Sequence, residues 1–288
     1  METRQVDVLI VGAGISGIGA AYHVKTMCPT RTFAVIEGRD QLGGTWDLFR
    51  YPGVRSDSDM HTLGYRFKPW TSRKAIADGP SILAYLRETV EEFDLARHIS
   101  YGLHVERADW SSAEGCWTVT ARRGDGDRVQ YRCTYLFMCT GYYRYSKGFE
   151  AEIPGLGNFA GTVVHPQFWP QNLDYAGKRV VVIGSGATAM TIVPSMATTA
   201  AHVTMLQRSP TYVVARPDVD SVAEMLRKFL PAKVAYRLVR FKNTTMQQYF
   251  YKRMRAYPQQ AKDRLLGFVR EAVGGVIDVD THFNPTYF

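Results

Sequence analysis

Val6-Asp7-Val8-Leu9-Ile10-Val11-Gly12-Ala13-Gly14-Ile15-Ser16-Gly17 decides the fold. Val6 to Val11 is a short apolar run of the kind that forms a buried parallel strand. The G-x-G-x-x-G turn follows at once, and a helix is predicted from about Ile18 to Met27. In this motif Gly12 permits a tight turn, Gly14 lets a pyrophosphate approach the backbone, and Gly17 lets helix and strand pack closely. The helix N-terminus offers free N–H groups and a positive dipole end to phosphates. Alone the motif is weak; between a strand and a helix it has the context it needs. Thr32 to Ile36 reads as a second strand ending at Glu37, 20 residues past Gly17. A carboxylate there accepts hydrogen bonds from ribose hydroxyls and disfavours a 2′-phosphate, so this site should take the ADP part of FAD, or NAD. Gly12, Gly14, Ser16, Gly17 and Glu37 are the first candidate cofactor-binding residues.

The pattern recurs. Arg179 to Ile183 reads as a strand, followed by Gly184-Ser185-Gly186-Ala187-Thr188-Ala189, a second phosphate turn with Ala in the third position. His202 to Leu206 is the next strand, and Gln207-Arg208-Ser209 follows it. Here an arginine and a hydroxyl replace the acid of the first unit. Both suit a 2′-phosphate, so this site should prefer NADPH to NADH.

Between the two turns, Gly79-Pro80-Ser81 signals a helix start with Ser81 as N-cap. Leu83, Leu86, Val90 and Phe93 continue at helical spacing. From Leu103 the pattern turns to strands, a meander with Gly124 to Asp127 as a hairpin turn. Tyr135 to Cys139 reads as a further buried strand, ending at Thr140-Gly141.

The 288 residues carry a formal net charge of +8 and 22% charged residues, the composition of a globular protein. Such a balance fits a nucleic-acid binder, a membrane-surface protein or a binder of anionic cofactors, and the location of the charge matters more than its size. It is concentrated between Ser221 and Arg270, where twelve Lys and Arg stand against two acids. In that region Leu226, Leu230, Val234, Leu238 and Phe241 recur at helical spacing. The bland reading is a solvated amphipathic helix pair; the sharper one is attachment to an anionic membrane face. No nucleic-acid-binding module accompanies the charge, so nucleic acid is not an expected partner. Cys28, Cys116, Cys133 and Cys139 form no C-x-x-C and suggest no metal; they read as buried reduced thiols of a cytoplasmic protein. The N-terminus does not resemble a signal peptide.

Three segments carry a family resemblance. Phe159-Ala-Gly161-Thr-Val-Val-His165-Pro-Gln-Phe-Trp169-Pro170 reads F-x-G-x-x-x-H-x-x-x-W-P. It resembles the fingerprint of Baeyer–Villiger monooxygenases, a branch of the class B flavoprotein monooxygenases. Gly43-Gly44-Thr45-Trp46-Asp47-Leu48-Phe49-Arg50-Tyr51-Pro52-Gly53-Val54-Arg55-Ser56-Asp57 is similar to their second fingerprint at every defined position. Asp59 to Trp70 closely resembles the ethionamide-activating subgroup from mycobacteria. The resemblance implies that Gly44, Thr45, Trp46, Asp47, Leu48, Arg55, Ser56 and Asp57 meet the flavin site. In the family Asp57 would face the isoalloxazine and nicotinamide and help orient a catalytic arginine, which makes it the candidate catalytic residue. Val105 would hold the FAD adenine, and Cys139-Thr140-Gly141 resembles the motif closing the FAD domain. His165 and Trp169 are expected to connect the nucleotide-binding domains and share a face if helical.

The expected fold is therefore α/β, with two Rossmann-like dinucleotide-binding domains and a helical insertion. FAD binding is assigned to 1–145, with a β-meander over about 101–133, and linker plus NADP binding to 146–217. The basic insertion is 218–276 and the tail 277–288. The resemblance implies an FAD-dependent, NADPH-consuming monooxygenase acting through a C4a-peroxyflavin on a ketone or an organosulfur compound with O2. Family members continue past the equivalent of Asn284 to Tyr287 with the catalytic arginine and the ends of both domains. No arginine follows Arg270, so the chain is expected to be the N-terminal part, with apolar faces exposed. Two alternatives stay open: a silent nucleotide-binding fragment, and an uncoupled enzyme that makes hydrogen peroxide. The expected location is cytoplasmic, with a peripheral position at the membrane's inner face under the sharper reading of residues 221–270.

Overall fold

The first strand starts earlier than its apolar run and leads directly into the glycine turn. In the computed structural model, which describes residues 2–287, the elements in chain order are β1 (Glu2–Val11), α1 (Ile15–Met27), β2 (Phe33–Ile36), α2 (Thr45–Leu48), α3 (Met60–Leu63) and α4 (Gly79–Glu92). Four strands follow: β3 (Ile99–Ser100), β4 (Leu103–Ser111), β5 (Cys116–Arg123) and β6 (Arg128–Met138). Then come β7 (Arg179–Ile183), α5 (Ala187–Met196), β8 (His202–Leu206), α6 (Ser221–Phe229), α7 (Ala232–Ala256), α8 (Pro258–Val273) and α9 (Val279–His282). They divide into two units, Met1–Arg50 with Gly79–Trp169, and Tyr51–Asp78 with Pro170–Phe288.

The first unit holds one mixed sheet in the order β3-β2-β1-β6-β5-β4. β1 pairs in parallel with β2 (Val8 to Val11 against Phe33 to Ile36) and with β6 (Glu2 against Val129 through Val11 against Met138). β4, β5 and β6 are antiparallel neighbours. The meander strand and the later strand expected at Tyr135 are thus one continuous β6. Leu9, Ile36, Val119, Val129 and Tyr131 pack into its core. Each fully buried side chain of that size is worth roughly 1.5–3 kcal/mol.

Several boundaries differ from the sequence reading. α1 begins at Ile15, not Ile18, because extended Gly14 is itself its N-cap. Ser81 is not a cap: α4 already starts at Gly79, and Pro80 has the fixed φ that suits a first turn. The end of β6 is not buried. Tyr135 is 58% exposed and Met138 54%, since no described residue covers them. Cys28, after α1, is exposed rather than buried, and all four cysteines are free.

In the second unit β7 and β8 form a two-stranded parallel sheet. Their alternation exposes Val181, Ile183 and Leu206 on one face, while Val180, Val182 and Val203 on the other are partly buried. α5 contacts both strands. The basic region is three helices rather than a pair, because Pro231 separates α6 from α7 and α8 starts at Pro258. No helix among the described residues is long and apolar enough to cross a membrane.

A Cβ added at Gly17 would collide with the Gly12 carbonyl, a backbone atom that cannot step aside. Gly17→Ala should therefore lower stability by about 2 kcal/mol or more. Thermal melting checks this; an unchanged midpoint would contradict the close strand–helix approach.

Candidate functional site

At the end of β1 the turn Gly12–Gly14 opens onto a cavity of about 700 Å3 in the first unit. Gly12 has φ +107°, and a Cβ there would lie 2.5 Å from the Cys139 oxygen. That proximity follows from the sheet, because the Cys139 N–H donates to the Val11 carbonyl at 2.8 Å, extending the β1–β6 ladder into the turn. The structure gathers the predicted residues Gly12, Gly14, Ser16, Glu37, Gly44, Thr45, Trp46 and Val105 around the cavity. Gly17, Asp47 and Leu48 do not line it. Gly17 is packed under the turn, and Asp47 is buried.

Glu37 is 6% exposed. One carboxylate oxygen accepts the Ala13 N–H at 2.7 Å and the other the Arg39 N–H at 2.9 Å, which fixes the acid beside the glycine turn. Burying a carboxylate is costly unless it is hydrogen-bonded, and these two donors meet that need. Its negative charge also raises the pKa of Tyr101, after burial, which is the larger cause.

Two contributors were missed in the sequence. Arg39 lines the cavity, donates to Asp47 at 2.6 Å, and lies 5.8 Å from the centre of the Tyr145 ring. Its Nε is buried and has no partner among the described residues. The open glycine turn and the acid fixed beside it fit a dinucleotide, whose pyrophosphate accepts from backbone N–H groups and whose ribose hydroxyls donate to a carboxylate. The one sequence signal for Arg39 was proximity to Glu37. The second is Gln167, buried within the F-x-G-x-x-x-H-x-x-x-W-P segment. It donates to the Arg144 and Tyr145 carbonyls at 2.7 and 3.4 Å and so pins two cavity-lining residues.

His165 is not on a helical face with Trp169. The segment is a single 3-10 turn, Pro166–Phe168, with His165 as its cap. Its Nδ1 accepts the Gln167 N–H, and its Nε2 lies 3.2 Å from the Phe149 carbonyl. Both partners belong to its own unit. Trp169 is half-buried.

The second unit carries the other turn. Gly184 has φ +125°, and its N–H donates to the Leu206 carbonyl. Ser185 and the N-cap Gly186 lead into α5, which begins with Ala187 and Thr188, and Ala189 is buried at its first turn. Arg208 and Ser209 follow β8 and are exposed. The loop of Tyr51–Asp78 belongs to this unit. Tyr51 is buried and hydrogen-bonded to Thr188. Burial first, and then the negative charge of Asp57, raise its pKa against that bond. Arg55 and Asp57 are exposed, and Ser56 is buried with its hydroxyl on the Ser58 carbonyl.

Basic side chains clamp this loop. Arg227 donates to the Trp70, Thr71 and Ser72 carbonyls at 3.0–3.1 Å. Arg240 donates to the His61 and Gly64 carbonyls at 2.9 and 2.7 Å. Asp59 caps α3 and accepts from Asn243 at 3.0 Å. Asp220 caps α6 and accepts from Lys242 at 2.7 Å. Part of the basic charge is therefore structural.

Comparison with known proteins agrees with this geometry. The flavin-binding monooxygenase-like family pattern matches residues 76–261, and an NAD(P)-binding Rossmann-like domain pattern matches residues 10–73. The chain belongs to the flavin-binding monooxygenase-like family. It is 49% identical over 286 residues to the FAD-containing monooxygenase EthA of Mycobacterium tuberculosis H37Rv, and 50% identical to EthA of Mycolicibacterium smegmatis. Both matches cover 99% of this chain and 58% of the relative, so the chain spans well under two thirds of their length. The open crystal structure of cyclohexanone monooxygenase superposes with TM-score 0.76 at 26% identity, over 96% of this chain and 60% of that one.

Acid should destabilise the second unit in two stages. Burial, and then the charge of Arg227, hold His61 below its ordinary 6.5. The folded state thus favours neutral His61, and that stability is complete above pH 6.5 and falls as pH drops through the folded value. Burial pushes the Asp220 carboxyl up, but hydrogen bonds from Lys242 and the Ala223 N–H outweigh it and hold the group below 3.8. Its contribution is complete above 3.8 and is lost below. Urea midpoints across about pH 3 to 8 should show both stages, and Lys242→Ala should flatten the second. A midpoint independent of pH would refute the assignment.

Proposed function

We propose that this chain is the dinucleotide-binding part of an FAD-dependent, NADPH-consuming monooxygenase acting on a ketone or an organosulfur compound. The observation that carries the reading is the cavity after β1, where Glu37 is fixed beside the Gly12–Gly14 turn. In this reading the N–H of Ser16, in the first turn of α1, meets the pyrophosphate, and Glu37 accepts from the ribose. Gly44, Thr45 and Trp46 wall the flavin end, with Asp47 and Leu48 behind them, and Val105 meets the adenine. Gly184 to Ala189 bind the second nucleotide, with Arg208 and Ser209 on its 2′-phosphate. When bound, these cofactors supply hydride transfer and the activation of O2.

The chain's own residues bind, orient and shield. Trp46 excludes water from the flavin end. Arg55, Ser56 and Asp57 lie on the loop whose later carbonyls, at His61, Gly64 and Trp70, accept from Arg240 and Arg227, and Asp57 supplies the carboxylate that positions a cationic group. His165, with Trp169 beside it, shapes the connector that Gln167 ties to the cavity wall. The reading places the protein in the cytoplasm, with peripheral membrane contact through the basic helices of residues 221–270.

The test follows FAD retention, NADPH oxidation, O2 uptake and hydrogen peroxide on the purified chain, with a simple ketone or thioether present. Flavin retention with oxygenated product supports the proposal. Flavin without NADPH consumption makes the chain a silent binder, and peroxide without product an uncoupled one. Glu37→Ala should weaken FAD binding by about 10-fold or more, the loss of a charged hydrogen-bond acceptor. Arg208→Ala should raise the KM for NADPH about 10-fold and leave that for NADH unchanged. Equal effects on both nucleotides would remove Arg208 from the phosphate site.

A further inference from the structure

α7 has two faces, and tertiary contacts fix which one points inward. Ala235, Tyr236 and Val239 are buried. The Tyr236 hydroxyl donates to the Tyr65 carbonyl, and Arg240, Lys242 and Asn243 bond to the His61–Gly64 loop, Asp220 and Asp59. At 3.6 residues per turn the opposite face carries Val234, Leu238, Phe241 and Tyr249, with Lys252 continuing the stripe. These apolar side chains are open: Phe241 is 71% exposed, Tyr249 58%, Leu238 46% and Val234 44%. They are the residues whose spacing would have marked the buried face.

The charge on this helix has one sign. Ala232–Ala256 contains seven Lys and Arg and no acidic residue. Arg240 and Lys242 are used in the clamp. Lys233, Arg237, Lys252, Arg253 and Arg255 are exposed, and no ion pair to them is found among the described residues. Exposed aliphatic and aromatic side chains flanked by cations, on a helix unable to span a bilayer, make the pattern of an interfacial helix. Its apolar residues enter the acyl boundary while the long cationic side chains reach the headgroups.

We propose that the outward face of α7, centred on Leu238 and Phe241 and bordered by Arg237 and Lys252, docks on an anionic phospholipid surface. The proposal takes the peripheral contact of residues 221–270 to one helix face and one lipid chemistry. Charge complementarity selects the anionic headgroup, and the apolar stripe selects a bilayer over a soluble anion. Substrates that partition into membranes would then meet the protein at its surface.

The experiment is co-sedimentation of the full 288-residue chain with phosphatidylcholine vesicles, with and without about one third phosphatidylglycerol. The expected result is partitioning at least ~10-fold stronger on the anionic vesicles, weakened by salt. Arg237→Glu with Lys252→Glu should lower it by about fivefold per charge or more. Phe241→Ser with Leu238→Ser should lower it while leaving the circular dichroism spectrum unchanged. Arg122→Glu, on the exposed side of β5, is the control and should not alter it. Binding to anionic vesicles that survives every α7 substitution would overturn the α7 face and keep the general peripheral contact. No preference for anionic vesicles would overturn both. Self-association of the chain that the Phe241 and Leu238 variants abolish, without vesicle binding, would assign the face to a second copy. Equal affinity for a single-stranded oligonucleotide would assign the charge to nucleic acid. Each of these last two results would overturn the proposal.

Discussion

The parallel pairing of β1 with β6 is the constraint on which the first unit depends. It runs from Glu2 against Val129 to Val11 against Met138, so both strands end at the same level. The Gly12 turn and the Cys139-Thr140-Gly141 turn then share one edge of the cavity. With the Cys139 oxygen 2.5 Å from where a Cβ on Gly12 would be, only glycine fits that turn. β6 also pairs with β5, so the antiparallel meander and the parallel nucleotide-binding strands form one sheet. Val105 on β4 reaches the same cavity as Gly12 as a result. The position of Glu37 follows from the same sheet, since β2 ends just before it, beside β1.

The second unit depends on a different kind of interaction. A loop without regular ladder partners must satisfy its backbone carbonyls in some other way, because unpaired buried polar groups are costly. Arg227 and Arg240 satisfy five of them. Each guanidinium presents several donors in a fixed fork, which a lysine could not reproduce. The basic helices therefore have two roles. Arg227 and Arg240 bond the loop that carries Arg55, Ser56 and Asp57, Lys262 donates to the Pro285 carbonyl, Arg270 pairs with Asp280, and the exposed cations of α7 face outward. The net charge of the chain could not separate these uses.

The glycine turns, the strands beside them and the acid at Glu37 were legible because each answers to a local rule. A tight turn needs glycine, a buried strand needs a run of apolar residues, and ribose recognition needs an acid at a set distance. Gln167 and Arg39 were not legible. Their importance lies in bonds to Arg144, Tyr145 and Asp47, and no spacing encodes them. His165 and Trp169 would share a face only in a helix; Pro166 begins a single 3-10 turn instead, and the His165 ring serves as its cap.

The sequence by itself determined the order of the α/β elements and the two glycine turns that follow β1 and β7, because these follow from residue type and short-range spacing. It did not determine which side of a helix is inside. Leu226, Leu230, Val234, Leu238 and Phe241 share a periodicity, yet Leu226 lies on α6, Leu230 is its C-cap, and Val234, Leu238 and Phe241 lie exposed on α7 beyond Pro231. Tertiary structure made that choice through Tyr236, Arg240 and Asn243. Hydrogen bonds to a loop far away in the chain turned the small residue Ala235 inward and left Phe241 in solvent. Periodicity reports that a helix has an apolar face; the strongest set of directional bonds decides where that face points.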